Sequence, residues 1–128
     1  MAKRILVVDD DIAVRNSFKL ALEDTGYDLD LAETGEKGLE MAGANKYDMI
    51  YLDLRLPGKS GVEVLHEIRK RDAATPIYII TAFHKDYFEE LKQSQQEGIV
   101  FELLKKPVDG DQIVQLTESI LEMSGGEQ

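Results

Sequence analysis

Apolar runs alternate along this chain with stretches of helical period, and the rhythm repeats five times. The apolar runs predict strands over residues 4 to 9, 27 to 31, 47 to 53, 76 to 81 and 99 to 104. Four of them are nearly continuous Val, Ile, Leu, Met, Tyr and Phe, the composition of strands covered on both faces. The second alternates strictly as Asp28-Leu29-Asp30-Leu31, so one face meets water and the strand belongs at an edge. Strand followed by helix, over and over, predicts an α/β fold with a parallel sheet between two helical layers. With the alternating strand at an edge, right-handed crossovers favour the order 2-1-3-4-5 in a doubly wound three-layer sandwich.

Helix signals fill the gaps. Val14, Phe18, Ala21 and Leu22 share one face of a first helix that Asp11 can cap and Gly26 can stop. Thr34 to Ala44 reads as a shorter, weaker helix, with Leu39 and Ala42 inward and Gly43 near its end. The third opens on Ser60 and Glu63, the spacing of a capping box, and buries Leu65 and Ile68. The last opens on Asp109 and Gln112 and carries Ile113, Leu116 and Ile120 on one stripe. The fourth, His84 to Glu97, differs: Tyr87, Phe88 and Leu91 are its anchors, and its second half reads Lys92-Gln93-Ser94-Gln95-Gln96-Glu97. Little apolar area, at roughly 25 cal/mol per Å² buried, predicts local mobility there.

Composition narrows the picture. A chain of 128 residues with 43% hydrophobic content can bury a core as a single domain, expected over residues 1–123. The remaining 124–128, Ser-Gly-Gly-Glu-Gln, read as a frayed end or the start of a linker. With no cysteine, neither a disulfide framework nor a thiolate metal site is possible. The formal charge of −10 opposes direct binding to nucleic acid phosphates. The apolar stretch after Met1 is too short for a signal sequence and no run is long enough to cross a bilayer, so a soluble, cytoplasmic protein without membrane contact is expected.

The chemistry sits at strand ends. Asp53 closes the run Met49-Ile50-Tyr51-Leu52 and precedes Leu54-Arg55-Leu56-Pro57-Gly58, a loop that Pro and Gly keep from becoming helix. Asp9 and Asp10 stand in the same relation to Ile5-Leu6-Val7-Val8. Thr81 ends the fourth run, and Lys105-Lys106-Pro107 follows the fifth. In the order 2-1-3-4-5 all of these share the rim where the winding reverses. Two unit charges of like sign 4 Å apart repel by about 4 kcal/mol at an effective dielectric of 20, so three acids in one crevice need a cation. Carboxylates without His or Cys suit Mg²⁺, which leaves room for a phosphoryl group that Asp53 could accept as a nucleophile, with Lys and Thr81 on its oxygens.

The set Val7-Val8-Asp9-Asp10, Asp53 with Pro57, Gly58 and Gly61, Thr81-Ala82, and Lys106-Pro107 resembles the receiver domain of bacterial two-component response regulators, from residue 3 to about residue 122. Each piece alone is weak; all four in order, each at a strand end, are specific. The resemblance implies a flavodoxin-like fold in which Asp53 accepts a phosphoryl group from the phosphohistidine of a sensor histidine kinase or a histidine phosphotransfer protein. It implies that Asp10, Asp53 and the backbone oxygen of Arg55 ligate Mg²⁺, with Asp9 supporting the metal through water. Thr81 and Lys106 would hold the phosphoryl oxygens, and the Lys106–Pro107 bond would be cis. Phosphorylation would repack the surface of the fourth helix, fifth strand and fifth helix for an output domain or effector protein.

Two positions depart from the pattern. Leu103 stands where many receivers carry an aromatic switch residue, with Phe101 two residues earlier. The stretch from Gly98 to Lys106 is one residue longer than usual, so Lys105 is an alternative to Lys106, which is preferred because it directly precedes the proline. Arg55 and Phe83, two residues past Asp53 and Thr81, are placed to tune loss of the phosphoryl group. Asp11 reads as a cap and His66 and His84 as exposed helix residues. A haloacid dehalogenase-type hydrolase would carry a second Asp where Arg55 stands and would need a cap domain. A flavin-binding module would need a Ser, Thr and Gly-rich loop where Asp9-Asp10-Asp11 stands. A receiver-like interaction domain that is never phosphorylated is the third competitor. The favoured reading is a phosphoacceptor switch that acts on no external metabolite.

Overall fold

The computed structural model describes residues 2–82 and 84–126. Among these, five parallel strands form one sheet: β1 (Arg4–Val8), β2 (Asp28–Ala32), β3 (Met49–Leu52), β4 (Ile77–Thr81) and β5 (Glu102–Lys105). Their order is β2-β1-β3-β4-β5, the order expected from an edge position for the alternating strand. Five α-helices connect and follow them: α1 (Ile12–Leu22), α2 (Gly35–Ala44), α3 (Gly61–Arg71), α4 (Phe88–Gln96) and α5 (Gly110–Gly126). A 3₁₀ turn, His84–Tyr87, leads into α4, so the stretch read as one helix is two pieces. No helix among the described residues is long and apolar enough to cross a membrane. Of the terminal segment, Glu127 and Gln128 lie outside the described residues, and α5 runs as far as Gly126.

The period of two along the strands divides the core into two layers. Leu6, Val8, Ile50, Leu52 and Ile79 face the side covered by α2, α3 and α4, where Val64, Leu65, Ile68 and Leu91 meet them. Ile5, Val7, Met49, Tyr51 and Ile80 face Phe18 and Leu22 of α1 and Ile113 and Leu121 of α5. In α5 the deepest line is Ile113, Thr117 and Leu121, with Leu116 and Ile120 beside it. Thr117 is fully buried and pairs with the Tyr51 hydroxyl at 2.6 Å, a polar tie between α5 and the central strand that the apolar stripe did not reveal. α2 lies close on β1 because Gly38 has no Cβ, which would fall 2.8 Å from Val8 Cγ2.

Three readings change. β5 is an edge strand, and Glu102, Leu103 and Lys105 are exposed; the apolar residues Ile99 and Phe101 pack on the core from the loop before it. Phe88 does not anchor α4. It is 58% exposed and borders an open cleft with Leu91, Lys92, Phe101 and Leu103, at the edge where β5 is the last strand among the described residues. His66 is half-buried and hydrogen-bonded rather than free in solvent.

Candidate functional site

The sheet ladder itself brings the acids together. Past the ends of the strands the pairing continues, with Asp9 N donating to Ala32 O at 3.0 Å and Asp53 N donating to Val8 O at 2.9 Å. β1 and β3 are neighbours, so Asp9 and Asp53 leave the sheet side by side where the winding reverses. Each carboxylate is then fixed by a main-chain donor: Asp11 N to Asp9 Oδ1 at 3.0 Å, and Leu54 N to Asp53 Oδ1 at 2.8 Å. Asp10 is exposed at the rim, and one oxygen each of Asp9, Asp10 and Asp53 lies within 4.8 Å of the others. Asp11 caps α1 by accepting from Ala13 N at 2.9 Å, the role its position predicted.

From the other side comes Lys106. Its main-chain N donates to Thr81 O at 3.0 Å, which carries the β4–β5 pairing one residue past Lys105, and the Lys106–Pro107 bond is cis. The Lys106 ammonium sits 2.8 Å from Asp9 Oδ2 and 3.2 Å from Asp53 Oδ2. Lys105 is exposed on the edge strand, so of the two lysines it is Lys106 that reaches the acids. Thr81 closes β4 fully buried.

The electrostatics follow from this crowding. Burial, reinforced by the Asp9 carboxylate, pushes the Asp53 pKa above its ordinary value despite Lys106 and the Leu54 N–H. Burial alone would lower the Lys106 pKa, but its hydrogen bonds and charge contacts with Asp9 and Asp53 outweigh that and raise it. Lys106 is therefore a firmly held cation between two acids. Asp9 Oδ2 is fully buried, with the Lys106 ammonium 2.8 Å away as its charge partner. An all-oxygen cluster of three carboxylates, with Lys106 bridging two of them, fits a hard divalent ion.

Asp53 is more enclosed than a strand-end position suggested, at 4% exposure, because Lys106 covers its outer oxygen. Arg55, one loop turn on, pairs with Asp86 at 3.1 Å and so joins the β3–α3 loop to the 3₁₀ turn before α4. Phe83 lies outside the described residues. Gly61 opens α3 against this loop; its N donates to Leu54 O at 2.8 Å, and a Cβ there would stand 2.1 Å from Asp53 O.

A parallel sheet of this order with three acids, a buried Thr and a Lys at one crevice defines a signalling receiver. The chain belongs to the response regulator receiver domain family, whose pattern it matches over residues 5–118. Among curated relatives it is 39% identical over 84 residues to the transcriptional regulatory protein DltR of Streptococcus agalactiae, covering 66% of this chain and 38% of that one. It is 35% identical over 120 residues to the transcriptional regulatory protein GlrR of Escherichia coli, covering 94% of this chain and 26% of that one. The chain thus spans between about a quarter and two fifths of the length of these relatives. A CheY-like response regulator receiver domain from Methanospirillum hungatei superposes over all of both chains with a TM-score of 0.86 at 27% identity.

Proposed function

We propose that Asp53 accepts a phosphoryl group from a phosphohistidine on a sensor histidine kinase or a histidine phosphotransfer protein, and that residues 1–123 act as the receiver unit. The observation that supports this most is the Lys106 ammonium seated between Asp9 and Asp53 at 2.8 and 3.2 Å, beside the strand that Thr81 closes. Asp53 Oδ2 forms the new bond to phosphorus as the bond from phosphorus to the donor imidazole nitrogen breaks, and that nitrogen keeps the electron pair. Lys106 stays protonated and turns its charge toward the transferring oxygens, while the Thr81 hydroxyl donates to one of them. Asp10, Asp53 and the main-chain oxygen of Arg55 would hold Mg²⁺, with Asp9 supporting it through water. When bound, the ion neutralises the crowded carboxylates and the phosphoryl oxygens.

The response is read by an output domain or effector protein on the surface of α4, β5 and α5, where Phe88, Val100 and Leu103 are 58%, 63% and 40% exposed. Leu103 replaces an aromatic there and Phe101 is buried, so the switch works without a rotating ring at that position. The chain catalyses its own phosphorylation and dephosphorylation in the cytoplasm, turns over no external metabolite, and itself contacts neither DNA nor membrane. Incubation with acetyl phosphate and Mg²⁺, followed by intact mass measurement, tests the assignment. A gain of one phosphoryl group that disappears in Asp53→Ala is expected, and a gain that survives the substitution overturns it.

A further inference from the structure

α4 is attached to the body of the protein by unusual means. Its buried side chains are Leu91 and Ser94, and its N-cap, Tyr87, makes no side-chain capping bond. From α3, two side chains one turn apart reach across to it and to the chain that follows: His66 Nε2 meets Ser94 Oγ at 2.7 Å, and Arg69 donates to Val100 O at 2.9 and 3.0 Å. The first of these is the inner one, since Ser94 is 1% exposed. Its direction is set by chemistry. Ser94 Oγ lies 2.9 Å from Glu90 O, a carbonyl that can only accept, so the single hydroxyl proton points there and Oγ accepts from His66 Nε2–H.

We infer that the His66–Ser94 hydrogen bond is a clasp that holds α4 in its resting place on α3 and opposes phosphorylation of Asp53. The inference rests on the proposed role of Asp53. Thr81 ends β4, and the chain runs from it through a short loop and the turn His84–Tyr87 into α4. Any approach of Thr81 to a phosphoryl group on Asp53 therefore draws on the segment from which α4 hangs. A bond that fixes α4 in the unphosphorylated arrangement alone biases the equilibrium toward that arrangement, and its removal favours the other. Arg55 to Asp86 links the same two regions nearer the crevice, but both side chains are more than half exposed and the pair contributes little.

The test uses His66→Leu, which keeps bulk without a donor, and Ser94→Ala, which suits a helix and leaves the half-buried imidazole free to turn to water. Amide exchange over residues 88–96 should quicken roughly fivefold in each through local opening, the worth of one net hydrogen bond, and exchange in β1 and β3, which follows global unfolding, should quicken by no more than that factor. The rate of phosphorylation by acetyl phosphate should rise by a similar factor, and the double variant should go no further than either single one. Unchanged exchange in both variants overturns the clasp. Faster exchange with an unchanged phosphorylation rate overturns its opposition to phosphorylation, as does a double variant whose effects add. A wild type that takes up no phosphoryl group on Asp53 is a failure of the proposed function and overturns the coupling with it, whereas the exchange arm decides the clasp independently.

Discussion

α3 and α4 lie side by side on the same face of the sheet, and the contrast between them divides the domain into a part that holds the chemistry still and a part that can yield. α3 starts with a complete capping box, Ser60 accepting from Glu63 N and Glu63 accepting from Ser60 N, and buries Gly61, Val62, Val64, Leu65 and Ile68. Its first residue touches the carbonyl of Asp53. α4 starts from a 3₁₀ turn without a side-chain cap, buries one aliphatic residue and one serine, and leaves Phe88 outside. The acceptor loop is thus braced by the better anchored helix, while the strand end carrying Thr81 leads into the weakly anchored one. A switch requires such asymmetry, because an element that moves must be drawn from the low-stability end of the structure.

The largest expected effect is on the braced side. In Gly61→Ala the new Cβ would stand 2.1 Å from Asp53 O and 2.6 Å from Leu54 Cα, both main-chain atoms that cannot turn away. A loss of about 3 kcal/mol or more is expected in urea unfolding, together with a fall in phosphorylation rate, because the loop holding Asp53 must shift. A variant of wild-type stability would show that α3 does not brace the loop. Next come Leu65→Ala and Leu91→Ala, which remove the same group from the two helices. Leu65 is fully buried and should cost about 3 kcal/mol of global stability, whereas Leu91, 6% exposed at the margin of the core, should cost about 2 kcal/mol or less. Amide exchange separates them further: the Leu65 variant should lose protection in α3 and the central strands but little in residues 88–96, which exchange through local opening, whereas the Leu91 variant should lose it in residues 88–96 as well. Equal losses with the same exchange pattern would abolish the distinction between the helices.

How much of this the sequence discloses depends on whether one side chain or a pair carries the information. The strand order was legible because β2 alternates while β1, β3 and β4 are unbroken apolar runs, which only two-sided coverage explains. Asp9, Asp10, Asp53, Thr81 and Lys106 were legible as a group because each falls at a strand end, and the ladder then does the gathering. The run through Ile99 and Phe101 was taken for strand since apolar content alone does not separate a strand from a loop packed on the core; β5 begins only at Glu102. Phe88 was counted as an anchor on its hydrophobicity, although the cleft it borders lies open between α4 and the edge strand β5. His66 was read as an exposed residue and Ser94 passed over within a polar run, because burial of a serine depends on a partner in another helix. The signal that was available is the spacing of Ser94 three residues after Leu91, on the inward stripe.

The smallest effect is electrostatic. Burial and the neighbouring Asp9 raise the Asp53 pKa, so between the ordinary carboxylate value and that raised value the native state retains a proton that the unfolded chain has released. Stability contributed by Asp53 therefore falls as pH rises through this window, and stays low above it. Asp53→Asn keeps a group able to accept from Leu54 N and removes the charge, while Asp9 remains 2.8 Å from Lys106. Without added metal the variant should match wild type at the acidic end and exceed it toward neutrality, read from urea midpoints across the range. Amide exchange then sharpens the contrast between the two helices. Amides of α3 and of the central strands, which exchange through global unfolding, should gain that full amount of protection, whereas those of α4, exchanging through local opening, should gain little. An equal gain in both places would mean that α4 opens only when the whole domain does, and that it is as firmly seated as α3.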